Sequence, residues 1–430
     1  MTRASVCMFI AFVLMIGSFV LAGNLTPPAG PVAPTMKALD EVEPRIAVNM
    51  TNTPGDADSV YRIVSPGSYY LTGTLFGVVG KHGIEIASSG VTLDLNGFEL
   101  RGITGTLSGV YASVSNLENI EVRNGSIRYW GSWGIDLATR FAFNCSVSGI
   151  RARGNGQDGV FAGKHTTISD CVAYANGVMG IRTSTGCTVT ACSAAENGTN
   201  GVWVDSNSTV TQCSVSDNGG TGISAQSACV VDACTARNNQ NYGISVGQGS
   251  IVRGCSAFEN TLTGISAGNV VTITGCNSNG NGAEGIVAGL ASNITECAVS
   301  GNSVAGIKVT TSCTVSGNTC VDNDNGTVGA NILVTSNSNR IIGNTCTDSP
   351  VGIDVNGSGN TIDGNSCANN GISFDIDGLD NLVIRNSATG GSPNYSIVAG
   401  NSVAPRIAVT DSDGWAGITN ATHPWANLGF

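Results

Sequence analysis

The sequence predicts an all-β chain, a single-stranded, right-handed parallel β-helix (solenoid) of about 14 coils, mostly of 21 residues, with three short strands per coil. Three observations predict it. Four residue columns keep a 21-residue step through the middle of the chain. Within each repeat the apolar residues alternate with a period of two, as strands do. The composition favours Gly, Ser, Thr, Asn, Val and Ile, while charged residues make up only 11%, well under the usual quarter.

The elements follow in order. Residues 1–22 read as an export signal: Arg3 supplies a short basic region, Val6 to Leu21 is apolar, and Val20-Leu21-Ala22 suits cleavage after Ala22. The run is short for a bilayer span, so an uncleaved anchor is the lesser alternative. No other stretch is apolar enough to cross a membrane, and the mature chain is expected to be secreted, extracellular or at the cell surface. Residues 23–58 read as a linker holding Pro27, Pro28, Pro31, Pro34, Pro44 and Pro54, with a short helix expected over 36–43. Residues 59–404 are the solenoid. Residues 405–430, with Trp415, Trp425 and Phe430, are expected to cap its open end, because an exposed sheet edge invites aggregation.

Within the solenoid, Cys171, Cys192, Cys213, Cys234, Cys255, Cys276 and Cys297 follow one another at 21 residues. Asn155, Asn176, Asn197, Asn218, Asn239, Asn260, Asn281, Asn302 and Asn323 keep the same step. So do Gly-Ile or Gly-Val pairs from Gly159 to Gly306, and a small-residue column from Cys145 to Cys313. In Gly201-Val202-Trp203-Val204-Asp205, Val202 and Val204 point one way, Trp203 and Asp205 the other. Such strands bury their apolar side only by stacking, coil on coil, at about 4.8 Å per step. Leu100, Ile127 and Ile150 read as earlier rungs of the Cys column, and Cys320, Cys346, Cys367 and Ala388 as later ones, which makes 14 rungs.

On these residues the chain resembles the pectate-lyase-like superfamily of right-handed parallel β-helix repeat proteins. The opening Ser65-Pro66-Gly67-Ser68-Tyr69-Tyr70-Leu71-Thr72-Gly73 and Gly90-Val91-Thr92-Leu93-Asp94-Leu95-Asn96-Gly97-Phe98 resemble the first coil of a group of exported bacterial β-helix proteins. The resemblance implies the fold. It says little of activity, because this fold carries lyases, hydrolases, epimerases, adhesins and phage tail parts.

The ladders read first as structure. Seven equivalent Cys cannot all pair, Ile150 and Ala388 fill the same slot, and free Cys packs as a small apolar residue; disulfides or a metal are the alternatives. The Asn column, Asn176, Asn197, Asn218, Asn260 and Asn281 among it, reads as turn residues in the left-handed conformation, with stacked side-chain amides able to hydrogen-bond along the ladder. The residues before them include Glu196, Asp217 and Glu259, solvated turn carboxylates or, alternatively, calcium ligands.

One outward column stands apart. Phe161, Arg182 and Trp203 lie 21 apart, with Asp205 beyond Trp203 and Asp136 as an extension one looser coil away. Stacked rings and a guanidinium on a flat face suit a sugar chain, against the plainer reading of scattered surface aromatics. For catalysis, the candidates on three consecutive rungs are Arg182, Glu196 and Asp217, with Lys164, His165 and Asp205 beside them. No Asp-Asp pair, Gly-His-Gly or Asp-Pro-His-Glu motif accompanies them. A net charge of -11 without a Lys/Arg cluster argues against nucleic acid. The expected function is therefore non-catalytic binding of a polysaccharide or cell-envelope glycan, or part of an extracellular layer. The alternative is a polysaccharide lyase or related enzyme, with calcium as its one suggested cofactor, acting on an acidic glycan. Regular coils without long loops from Gly159 to Gly306 favour the first; the looser coils from Gly77 to Asp158 leave room for a cleft.

Overall fold

A computed structural model of the protein describes residues 45–324, 329–408 and 423–430. The export segment, the helix expected over 36–43 and Trp415 lie outside these residues. From Arg45 onward every described element is a β-strand, and no helix occurs among the described residues.

Three strands per coil stack into three faces. The first face is a sheet of sixteen parallel strands running from Ser59–Ile63 to Tyr395–Ile397. In a regular coil, Val160–Ala162 on this face is followed by Thr167–Ser169 on the second and Val172–Tyr174 on the third. The second and third faces join into one 32-stranded sheet, because Glu121–Arg128 and Ser146–Arg153 run through both. Sixteen rungs at about 4.8 Å make a ladder on the order of 72 Å long. That is two rungs more than the 14 expected. Leu75 precedes Leu100, and Gly429 follows Ala388. Ile46–Ala47 also pairs with Tyr69–Tyr70, so the sheet begins within the span that proline content assigns to the linker.

Each strand puts alternate side chains inward, and Ile and Val fill the first face's interior at 0% exposure. The seven Cys from Cys171 to Cys297 are 1–2% exposed and unpaired, and each thiol reaches a backbone carbonyl two residues back, as Cys192 does to Thr190 O at 3.1 Å.

The Asn amides hydrogen-bond along the ladder as expected, but the residues themselves are not the left-handed ones. Asn155 to Asn323 are 0–2% exposed and point inward. From Asn176 on, each side-chain oxygen accepts the backbone N–H and the amide of the Asn one rung earlier: Asn218 Oδ1 takes Asn197 N at 3.0 Å and Nδ2 at 2.9 Å, while Asn155 Oδ1 takes Trp130 N at 3.2 Å. The left-handed conformation falls on the preceding residue instead, at Ala175, Glu196, Asp217, Asn238, Glu259 and Asp322 (φ 52–58°). The amide belongs inside because each turn leaves one buried N–H that the strands do not satisfy.

The Cys column also ends differently. After Cys297 its slot passes to Asn318, Asn344, Asn365, Asn386 and Asn427, each accepting the N–H of the rung before. Cys320, Cys346 and Cys367 instead continue the neighbouring inward column through Val299, and Ile127 pairs with Ala152, not Ile150. The downstream 23-residue gap is therefore a normal 21-residue coil plus a two-residue step to the next inward position, and the upstream one is a 25-residue coil less such a step.

The Gly column is required by close approach. A Cβ at Gly180 would sit 2.6 Å from Gly201 O and 2.7 Å from Asn197 Nδ2.

Candidate functional site

The first face turns a second set of side chains outward. In register along it stand Arg62, Glu85, Tyr111, Asp136, Phe161, Arg182 and Trp203. Beyond Trp203 the same column becomes Ser224, Ser245 and Ser266. The stretch that brings aromatic rings and charged groups together thus lies in the first seven coils; after the serines the column resumes with Val287, Lys308, Leu333, Asp354 and Asp375.

Residues entering these strands add a diagonal set of contacts. His82 stacks on Tyr111 with ring centroids 4.2 Å apart and planes 9° from parallel. Trp133 stacks on Phe161 at 6.3 Å. Asp158 Oδ2 lies 3.9 Å from Arg182 Nη1. Arg182 is held between two rings, 4.5 Å from the Phe161 centroid and 5.6 Å from that of Trp203. Each contact joins a strand to the next coil's strand, so the platform is cross-braced. The side chains of Tyr111, Trp133, Phe161, Arg182 and Trp203 stay half-exposed.

Two carboxyls lie beneath this surface. Asp136 is 1% exposed; its Oδ1 accepts Ala138 N at 3.1 Å and Thr139 N at 2.9 Å, while Oδ2 is buried without a hydrogen-bond partner. Burial pushes the Asp136 carboxyl up, against the hydrogen bonds from Thr139 and Ala138. Burial likewise raises Asp158, opposed by Met179 N–H and Arg182. Burial lowers His82 and favours its neutral ring; Nδ1 accepts Ser108 N at 3.1 Å, which leaves the proton on Nε2.

The coils that carry this cluster have lengthened turns between the first and second faces. The regular turn is 163–166, four residues, but the two before it are 113–120 and 137–145. The longer one returns Arg140 to the platform, where its Nε donates to Tyr111 Oη at 3.1 Å. Trp130, 1% exposed, fills the interior behind these coils and donates Nε1–H to Leu100 O at 3.1 Å.

Residues 67–209 and 134–269 match the family described as the right handed beta helix region. The chain is a right-handed parallel β-helix. No curated protein matches the sequence. Among solved β-helices it is similar to the A-module of the mannuronan C-5 epimerase AlgE6 of Azotobacter vinelandii (15% identity, 79% of this chain and 91% of that one, TM-score 0.39). It is similar also to the periplasmic alginate epimerase AlgG (11%, 69% and 82%, TM-score 0.37) and to the Dettilon tailspike protein gp208 (15%, 79% and 61%, TM-score 0.32).

On this β-helix Phe161, Arg182 and Trp203 stand side by side, with Asp136 next in line. Asp205 ends the Trp203 strand and accepts Thr185 Oγ1 at 3.0 Å. Glu196, Asp217 and Glu259 are not brought to Arg182. They lie exposed on the turn between the third and first faces, taking Tyr174 Oη (2.5 Å), Asn238 Nδ2 (2.6 Å) and Arg237 Nε (2.9 Å) respectively. The one group of three acidic ligands close together among the described residues is Asp56, Asp58 and Glu85, already engaged by Arg62. Lys164 and His165 line a separate hollow described below. His82, Tyr111, Trp133 and Asp158 went unassigned by sequence reasoning. Their signal is the Gly-Ile/Val pair, which continues upstream of Gly159 as Gly134, Gly109 and Gly83 at steps of 25 and 26.

Proposed function

We propose that the outward side of the first face, from Tyr111 to Trp203, binds a polysaccharide. The reading is carried by the Phe161–Arg182–Trp203 stack. Half-exposed Trp203, backed by the Arg182 guanidinium and followed in its column only by the small Ser224, offers an apolar surface to a sugar ring, and Arg182 offers N–H groups to hydroxyls; strand pairing and the Phe161 ring behind Arg182 leave these side chains little freedom to lose. Export to where such glycans occur rests on the apolar segment at residues 6–21. Affinity electrophoresis of the mature protein through gels containing neutral and acidic polysaccharides tests the proposal. Trp203→Ala is expected to weaken retention by about tenfold; unchanged retention would refute it.

A second reading, glycan-modifying chemistry, is favoured by one contact: a neutral His82 ring stacked on a phenol whose oxygen takes a guanidinium hydrogen bond. Unsaturated products or new reducing ends, abolished by Tyr111→Phe, would support it. Silence across a polysaccharide panel would leave binding as the function.

A further inference from the structure

The lengthened turn 137–145 does more than return Arg140 to the platform. With the turn that follows, it encloses a hollow of about 290 Å³ lined by Phe141, Phe143, Lys164, His165, Asn116 and Ser184, with Gly163 at its base.

The hollow is built rather than incidental. Phe143 is held between coils by parallel bridges to Glu118 on one side and Lys164 on the other. Phe143 N donates to Leu117 O at 2.9 Å, and Asn144 N to Lys164 O at 3.0 Å. The base fits only glycine: a Cβ at Gly163 would fall 1.6 Å from Ala142 O. The His165 ring lies over Gly186, where a Cβ would meet it at 2.7 Å. Phe141 is 69% exposed and sits at φ 58°. Left-handed residues recur at this solenoid's turns, but a large aromatic is an uncommon choice for one. A folded chain gains nothing for its own core from an exposed phenyl ring.

The chemistry of the lining is one-sided. Two phenyl rings, an amide and a hydroxyl surround Lys164 and His165, and no carboxylate lines the hollow. Lys164 forms no ion pair among the described residues; the nearest carboxylate along its column, Glu118, stands two rungs away. In a chain of net charge -11, a cationic hollow free of acids selects for an anion.

The hollow also continues the platform. Lys164 lies three residues past Phe161 on one strand's exit, and Ser184 two past Arg182 on the next. At about 3.3 Å per residue, its mouth is on the order of 10 Å from the stacked rings.

We infer that this hollow is a subsite for an anionic substituent, carboxylate or sulfate, on a sugar of the glycan bound along the neighbouring face. The ring of that sugar packs on Phe141 and Phe143, and Lys164 takes the charge. The inference rests on the glycan-binding reading, and the test separates the two. Mature wild-type protein, Lys164→Ala, Lys164→Arg, Phe141→Ala and Trp203→Ala are compared by affinity electrophoresis on polygalacturonate, dextran sulfate and unsubstituted dextran. Lys164→Ala is expected to weaken retention on one or both anionic polymers by about tenfold or more, leaving dextran unchanged. Which polymer responds tells carboxylate from sulfate. Lys164→Arg retains binding, and Phe141→Ala weakens it without raising its salt dependence. Wild-type retention that does not distinguish charged from neutral polymers, or Lys164→Ala behaving as wild type, would overturn the inference. Loss on Trp203→Ala with none on Lys164→Ala leaves the platform standing and removes the subsite. Loss on Lys164→Ala with none on Trp203→Ala removes the platform as the site.

Discussion

Replacing Asn218 by Ala should damage the stack far more than its size suggests. Asn218 is 0% exposed. Its oxygen is the acceptor for the backbone N–H and the amide of Asn197, and its own amide donates to Asn239 Oδ1 (3.0 Å), Ala194 O (3.1 Å) and Ser216 O (2.9 Å). Truncation leaves Asn197 N–H buried without an acceptor, which costs about 1–3 kcal/mol. Asn197 Nδ2 keeps Ala173 O and Asn239 Oδ1 keeps Asn218 N–H, so those groups lose only part of their bonding, about 1 kcal/mol each. The total is about 3–5 kcal/mol. Cys213→Ala, one column over in the same coil, removes a buried thiol whose sulfur is only a weak acceptor for the Cys192 N–H, so less bonding is lost, and it should cost about 1–2 kcal/mol. Repeat arrays unfold locally, so a global midpoint is the wrong readout. Native-state hydrogen exchange of the coils from Asn176 to Asn239 is the right one, and the loss predicts exchange there faster by roughly 10²–10⁴. Exchange faster by less than tenfold, or no faster than in Cys213→Ala, would show that the amide ladder does not hold the coils.

Three further outcomes follow from the same geometry. The Asp354 carboxyl is pushed up to about 6, first by burial and then by Asp375, which pairs with it in register, and Asp377. A folded value above the unfolded one stabilises the fold at low pH and loses that contribution as pH rises through about 6, so Asp354→Asn should raise the melting temperature at pH 7.5 and leave it unchanged at pH 3.5; a lower melting temperature at pH 7.5 would contradict this. The thiols from Cys171 to Cys297, 1–2% exposed, should resist iodoacetamide in the native protein and react after denaturation, with intact mass reporting both; native disulfides would overturn the packing account. Gly201→Ala should open the coil it heads, because its Cβ would meet Val215 Cγ1 at 2.2 Å and Asn218 Nδ2 at 2.7 Å; wild-type exchange there would mean that the neighbouring coils yield.

The fold was legible because a solenoid repeats its contacts. An inward position that recurs every 21 residues sees the same neighbours each time, so Cys171 to Cys297 and Asn155 to Asn323 announce their registers directly. Legibility failed where residue type and position parted. Cys320 carries the expected residue type but occupies Val299's column, while Asn318, a different residue, inherits the Cys slot. The Asn residues failed for a related reason. A turn that needs both a left-handed residue and a buried amide has two candidate positions, and propensity alone gave both roles to Asn. The carboxylates before them, and the glycines Gly280 and Gly301 in the same column, marked the left-handed site.

The platform was half legible, and the missing half explains its location. Phe161, Arg182 and Trp203 lie in coils of 21 residues, whereas His82, Tyr111, Trp133 and Asp136 lie where the step is 25 or 26. Its diagonal contacts join positions 29, 28 and 24 apart, spacings that a scan for one period does not register. This is a consequence of how a solenoid is stabilised. A ladder of like residues is satisfied by its own copies, as the Asn amides are, and offers a ligand little but repetition. A site needs unlike groups in contact, and each breaks a ladder: a phenol on an imidazole, a guanidinium between rings, a carboxyl with one oxygen unpartnered. The disruption is accommodated where the turns are long enough to close over it and where a large side chain, Trp130, fills the interior in place of small ones. On that argument, shortening the 137–145 turn to the regular four residues should leave the coils from Asn176 onward as protected from exchange as before. It should also weaken glycan retention, on anionic polymers most, because Arg140 leaves the platform and Phe141 and Phe143 leave the neighbouring hollow together, while the Phe161–Arg182–Trp203 stack stays. If retention is unchanged on every polymer, Arg140, Phe141 and Phe143 take no part in binding, and the long turn serves the fold alone.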